Sequence, residues 1–224
     1  NSLSMISDIQ VGSISYFLIL SIWIFWFLGM VNAVNLCDGL DGLAAGLVAL
    51  SLLGVSMFGL SELHLIIAAA LGGFLVFNKY PAKLYMGDSG SLFLGYHLAT
   101  IPLIYFTSNS SLSFDLLAYL IMNTYFIWDT SRVVFVRLLN KQNPFKPDQN
   151  HYHFILLNQN TSVVASVIRI WLLHAFFILC AITMISFHYH VSTWFLFVLG
   201  LTYLFLESVS FGKQKKIALN LKKS

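Results

Sequence analysis

The sequence has 224 residues, of which 58% are hydrophobic, 16% aromatic and 9% charged, with a mean hydropathy of +0.80. Soluble domains carry roughly 25% charged residues, so this composition excludes a soluble globular or disordered chain and points to an integral membrane protein. A net charge of +3 is too small to argue for nucleic-acid binding, and the placement of the cations says more than their number.

Seven apolar stretches follow one another, at 13–33, 43–60, 64–77, 91–106, 112–128, 163–187 and 191–207. A hydrocarbon core takes about 20 helical residues to cross, and an open strand cannot satisfy its backbone there, so each stretch is predicted to be a helix, the third a short one. The expected fold is an all-α polytopic membrane bundle of about seven transmembrane helices, forming a single membrane domain over 1–224 with a basic cytoplasmic tail at 208–224. If the helices alternate in direction, the connections near Asp38, at 80–90 and at 132–160 share one side with the C-terminal tail. All 12 Lys and Arg residues fall on that side, and none lies in the opposite connections, which the positive-inside rule reads as a cytoplasmic face. Cys37 and Cys180 sit too far apart in this arrangement to form a disulfide.

Along the chain, the first chemistry-bearing segment is 32–46, NAVNLCDGLDGLAAG. Asn32, Asn35 and Asp38 recur every three residues, and Asp41 continues the spacing, so a helix running on from the first stretch gathers them on one face. Polar and ionised groups beside hydrocarbon are costly and mark functional sites. Gly39, Gly42 and Gly46 leave room for a backbone or a bulky ligand to approach.

The second segment is 78–91, NKYPAKLYMGDSGS. Pro81 stops the third helix, and Gly87 and Gly90 put Asp88 on a permissive turn at the membrane surface, where it is the first choice for a metal ligand. Ser89 or Ser91 is expected to cap the fourth helix, whose free N–H groups make an anion site. Lys79 and Lys83 suit either phosphate binding or topology.

The third is 144–154, PFKPDQNHYHF, where His151 and His153 point the same way if the segment is extended. Asp129 and Arg137 flank it, either as an ion pair that orients the loop or with Arg137 holding a phosphate. His64, His188 and His190 are expected at the outer interface, and His97 and His174 to hydrogen-bond inside the bundle.

These three motifs, in this order and on one face, resemble the bacterial polyprenyl-phosphate N-acetylhexosamine-1-phosphate transferases. The PF-x-PD-x-x-H-x-H loop and Asp129-Thr130 are more similar to the branch that loads N-acetylglucosamine-1-phosphate onto undecaprenyl phosphate than to the phospho-MurNAc-pentapeptide translocases. The resemblance implies transfer of a sugar 1-phosphate from a UDP-sugar to undecaprenyl phosphate, releasing UMP, with Mg2+ or Mn2+ as cofactor. It also implies an enzyme of the bacterial inner membrane, multi-pass and dimeric, that starts a lipid-linked envelope glycan. Asp88 would bind the metal directly with Asp38 beside it, while Asp38 and Asp41 shape the nucleotide site. Asn32, Asn35, Asn78, Lys83 and Arg137 would contact substrate, and His151 and His153 would hold the pyrophosphate.

Two departures stand out. The family's acidic Asp-Asp pair in an earlier cytoplasmic loop has no counterpart here, so the chain is expected to be the C-terminal two-thirds of a longer transferase, inactive alone. The alternative is a shortened, non-catalytic paralogue that binds UDP-sugar or a partner subunit. The family's H-x-H-H motif also ends here in Phe154, one donor fewer. A CDP-alcohol phosphotransferase is set aside because Ala45 stands where its Arg belongs, and a transporter because the polar groups gather at one face instead of the midplane.

Overall fold

A computed structural model describes residues 14–58, 62–107, 116–143, 149–186 and 194–207, and all regular structure among them is helical. In chain order the helices are α1 (Ile14–Cys37), α2 (Leu43–Ser56), α3 (Glu62–Asn78), α4 (Gly87–Thr107), α5 (Leu116–Met122), α6 (Thr124–Leu139), α7 (Tyr152–Asn158) and α8 (Val163–Ser186), followed by α9 (Trp194–Glu207).

α1 and α8 are each long and apolar enough to cross a membrane, while α2, α3 and α9 are shorter apolar helices. α1 buries only Met30, Ala33, Val34 and Cys37. The rest of its surface shows large apolar side chains outward, with Ile14 at 82% and Phe25 at 81% exposure. Water would penalise such a surface, whereas lipid solvates it.

α2 is the central post. Nearly every residue from Leu43 to Val55 is buried, and the helix touches α1, α3, α4, α5 and α8. It is hydrophobic on all sides, as a helix enclosed by neighbours must be. Around it, α1 lies along α4, α3 along α2, and α5 along α8. The α1–α4 approach depends on Gly95, where an added Cβ would stand 2.7 Å from the Cα of Val31.

Several boundaries differ from the sequence reading. α1 continues to Cys37, and α3 has 17 residues and ends at Asn78, ahead of Pro81. The stretch at 112–128, expected as one helix, is broken at Asn123 between α5 and α6. Asn123 Nδ2 donates to the Tyr119 carbonyl at 3.0 Å, and its Oδ1 accepts from Ser51 at 3.0 Å. A side chain that binds a carbonyl of its own helix competes with the backbone ladder, which an apolar count does not register. His174 Nε2 lies 2.8 Å from the same Ser51 hydroxyl, so it is bonded within the bundle as expected. His64, expected at an interface, is 4% exposed and meets the ring of His97 edge-on at 5.3 Å, because it turns inward toward α4. His188, His190 and the tail at 208–224 lie outside the described residues. Cys37 and Cys180 are both buried and free.

Candidate active site

One end of the bundle collects the C-terminal ends of α1, α3 and α9, the start of α2, α4 and α8, and all of α7. α1 stops at Cys37, one residue before Asp38, and the Asp38 N–H turns back onto the Asn35 carbonyl at 3.1 Å. Asp38 and Asp41 therefore lie in the turn between helices instead of extending the face of α1. Gly42, with φ of +80°, lets the chain swing into α2, a conformation costly for any residue with a Cβ.

Side-chain amides hold the first motif to the second. Asn35 Nδ2 donates to Ser91 Oγ at 2.8 Å and to Asp88 Oδ1 at 3.3 Å. Asn78, 3% exposed, accepts from the Gly42 N–H at 3.1 Å and donates to the Leu84 carbonyl at 2.8 Å. The Ala82 N–H donates to Asp41 Oδ2 at 2.9 Å. Asn78 and Asp41, read from sequence as site groups, thus tie the start of α2 to the loop that carries Asp88. Asn32 is exposed on α1 and Lys83 on the loop. Neither serine caps α4: with Gly87 at φ +67° the helix begins there, and Ser91 Oγ donates back to the Gly87 and Asp88 carbonyls at 3.2 and 3.3 Å. Asp88 is accordingly an exposed acid in the first helical turn, where the dipole favours its charge.

The third motif reaches the first through Gly39. A Cβ at that position would stand 2.4 Å from His153 Nε2, so the imidazole occupies the space the glycine leaves. His151 stands just before α7 and His153 within it, so the segment is not extended; their rings still stack, 5.9 Å apart and within 13° of parallel. Asp129 organises this helix. Its Oδ2 lies 2.9 Å from His151 Nδ1, and its Oδ1 accepts from the Tyr152 N–H at 2.9 Å and from Arg132 at 2.8 Å. Asp129 makes its ion pair with Arg132, one helical turn on, while Arg137 is buried at 5% exposure on α6. Arg132 also donates to the Asn150 carbonyl at 2.6 Å and lies over the Trp128 ring. The i, i+3 spacing of Asp129 and Arg132 was the available signal for that pair. Segment 144–148 lies outside the described residues.

The electrostatics divide the site in two. Asp38 is pushed up to about 6, first by burial and then by the charges of Asp88 and Asp41. Across from these crowded carboxylates, burial holds His153 down to about 4, so its ring is neutral at pH 7. Both ring nitrogens of His153 and Nε2 of His151 are buried with no hydrogen-bond partner. Buried polar atoms left unsatisfied are costly unless something else satisfies them. Among the described residues no three His, Cys, Asp or Glu side chains gather closely enough to hold a metal by themselves. Beside this end, an apolar groove of about 820 Å3 runs between Trp26, Leu120, Ile127, Phe135 and Phe197, with Arg132 in its wall.

Residues 1–106, which contain the first two motifs, match the family model described as glycosyl transferase family 4. The chain is 37% identical over 183 residues, 79% of its length and 51% of the relative's, to a probable undecaprenyl-phosphate N-acetylglucosaminyl 1-phosphate transferase of Bacillus subtilis. It is 38% identical over 134 residues, 59% of the chain and 41% of the relative, to an undecaprenyl-phosphate alpha-N-acetylglucosaminyl 1-phosphate transferase of Thermotoga maritima. It is also 37% identical over 155 residues, 64% and 46%, to a phospho-N-acetylmuramoyl-pentapeptide-transferase of Staphylococcus carnosus. The chain spans about half the length of these curated relatives.

Proposed function

We propose, from the match of residues 1–106 to the glycosyl transferase family 4 model and the 37% identity over 183 residues to the Bacillus subtilis relative, that the chain belongs to that family and catalyses transfer of a sugar 1-phosphate from a UDP-sugar to a polyprenyl phosphate, with N-acetylglucosamine-1-phosphate as the sugar and undecaprenyl phosphate as the acceptor. The single observation that carries this reading is the meeting of the three motifs at one end of the bundle, Asn35 on Asp88 and His153 in the gap at Gly39. In this reading seven membrane-spanning helices put that end on the cytoplasmic face, where a water-soluble nucleotide and a membrane lipid can both arrive.

The chemistry is a phosphoryl exchange. An oxygen of the lipid phosphate bonds to the phosphorus bearing the sugar, the bond from that phosphorus to the bridging oxygen breaks, and UMP leaves with the bonding pair. Asp38 and Asp88 suit a divalent cation, because the charges of Asp88 and Asp41 add to burial in raising Asp38 and a cation relieves that repulsion. Mg2+ in such sites is held by one or two carboxylates with substrate phosphates completing its shell. When bound, the ion supplies charge neutralisation for the departing UMP. The neutral ring of His153 has one N–H to offer a diphosphate oxygen from its unpartnered nitrogens, and Asp129, bonded to Nδ1 of His151, orients that ring beside it. Asn35 holds Asp88 at the entrance, and the groove beside Arg132 suits a polyprenyl tail with its phosphate toward the guanidinium.

The test is UMP release by the full reading frame, in membranes supplied with UDP-N-acetylglucosamine, undecaprenyl phosphate and Mg2+. Release that stops on chelation and falls on the order of 100-fold or more in Asp88→Asn supports the transferase. No release across a panel of UDP-hexosamines from folded protein overturns it in favour of a non-catalytic binding role.

A further inference from the structure

We propose that Glu207, at the end of α9, is a positioning residue for the histidine helix: through the Tyr152 hydroxyl it fixes α7, and with it the rings of His151 and His153, against Gly39. The inference rests on the reading of His153 as a diphosphate donor.

α7 has only seven residues, and a helix that short does not hold its own geometry in isolation. What holds it must come from its neighbours. Asp129 grips its start, through His151 Nδ1 and the Tyr152 N–H. The second grip comes from the other side. Tyr152 lies between the two histidines in sequence and is fully buried, its ring edge-on to Trp128 at 5.5 Å and to Tyr125 at 6.5 Å. Its hydroxyl donates to Glu207 Oε2. Glu207 Oε1 takes Arg169 of α8 at 2.6 Å, and the same guanidinium donates to the Tyr203 hydroxyl and lies 5.9 Å from that ring.

One carboxylate thus joins three helices, and the side chain of Glu207 is only 12% exposed. A carboxylate so enclosed must be paired, and here each oxygen has a distinct partner. Arg169 holds Glu207 in place, and Glu207 holds Tyr152. Because the aromatic contacts of Tyr152 fix the ring and the hydroxyl bond fixes its tip, rotation of α7 about its axis is opposed at both ends of the side chain. That rotation is the movement that would carry His153 out of the gap at Gly39.

The experiment uses the full reading frame in membranes, with Tyr152→Phe, Glu207→Leu, their double variant, and Tyr203→Phe as a control that removes one contact of Arg169 while leaving both the Arg169–Glu207 pair and the link from Glu207 to Tyr152 in place. The primary readout is the rate at which diethyl pyrocarbonate modifies His151 and His153, followed by peptide mass spectrometry. Tyr152→Phe and Glu207→Leu each raise the His153 rate by about fivefold or more, and the double variant raises it no further, since both changes cut one link. Tyr203→Phe stays at the wild-type rate. In UMP release, the same two variants raise KM for the nucleotide sugar more than they lower kcat. Unchanged His153 rates, additive effects in the double variant, or an equal rise in Tyr203→Phe overturns the proposal. Absence of UMP release from every form counts against the transferase reading, and the modification rates judge the positioning role separately.

Discussion

Asp38 titrates near pH 6 because its burial and the charges of Asp88 and Asp41 all oppose ionisation. The folded-state value lies above the ordinary 3.8, so the folded protein binds this proton more tightly than the unfolded chain does. Stability from this group is therefore present below about pH 4, declines as pH rises to 6, and is fully lost above it. Asp38→Asn removes the decline: in detergent without divalent cations its Tm at pH 7.5 exceeds wild type, and the difference closes toward pH 4. Mg2+ offsets the same repulsion and stabilises wild type more than the variant; a variant that is less stable at pH 7.5 refutes the account. Gly39→Ala sets a methyl 2.4 Å from His153 Nε2, and the ring, enclosed on all sides, must shift. The expected cost is about 1–3 kcal/mol of stability and about tenfold or more in UMP release, read from thermal melts and the assay together. At this scale the sequence made the acids and amides legible, since Asn and Asp at three-residue spacing beside hydrocarbon are too costly to be kept as mere filling. It showed that Gly39 leaves room but not that His153 fills it. The sequence reading assigns Tyr152 no role and places residue 207 only as the end of an apolar stretch. Their contact spans 55 residues, and no local pattern encodes it.

The pairing of α1 with α4 is what brings Asn35 to Asp88, and Gly95 is where the two backbones come closest. Gly95→Leu forces the helices apart, because the atoms in the way are the Val31 backbone and not the tip of a flexible side chain. Melting of the variant should show a loss of about 1–3 kcal/mol or more. Gly73→Leu is the control: nothing lies within 4 Å of its added Cβ, and the better helix former should leave stability equal or raised. Equal losses at both sites would sink the close-packing argument. Helices were the most legible elements, since composition and length alone demand them in lipid. The break at Asn123 was not, because the competition between a side-chain amide and the backbone depends on Ser51 and His174 arriving from two other helices. The helical form of the histidine segment was not legible for a related reason. Its helical start is imposed by Asp129 on the Tyr152 N–H, a tertiary contact that two histidines two residues apart do not announce.

For the whole molecule, the proposed orientation rests on the distribution of Lys and Arg and on the joining of three motifs at one end. In a background with Cys37 and Cys180 replaced by alanine, Lys83→Cys should react with an impermeant maleimide only in inside-out vesicles, and Glu62→Cys, at the opposite end of α3, only in right-side-out ones. Reaction of both from the same side would overturn the alternating topology. The arrangement also has a consequence for depth. α2 has 14 residues and rises about 21 Å, well short of the roughly 30 Å of hydrocarbon. The acidic cluster sits at the start of this short central post, so in the proposed topology, with the post centred in the hydrocarbon, the floor of the site would lie beneath the membrane surface. In the proposed reaction a lipid headgroup would be met at its own level without being lifted from its leaflet, and it is the soluble nucleotide that would have to descend.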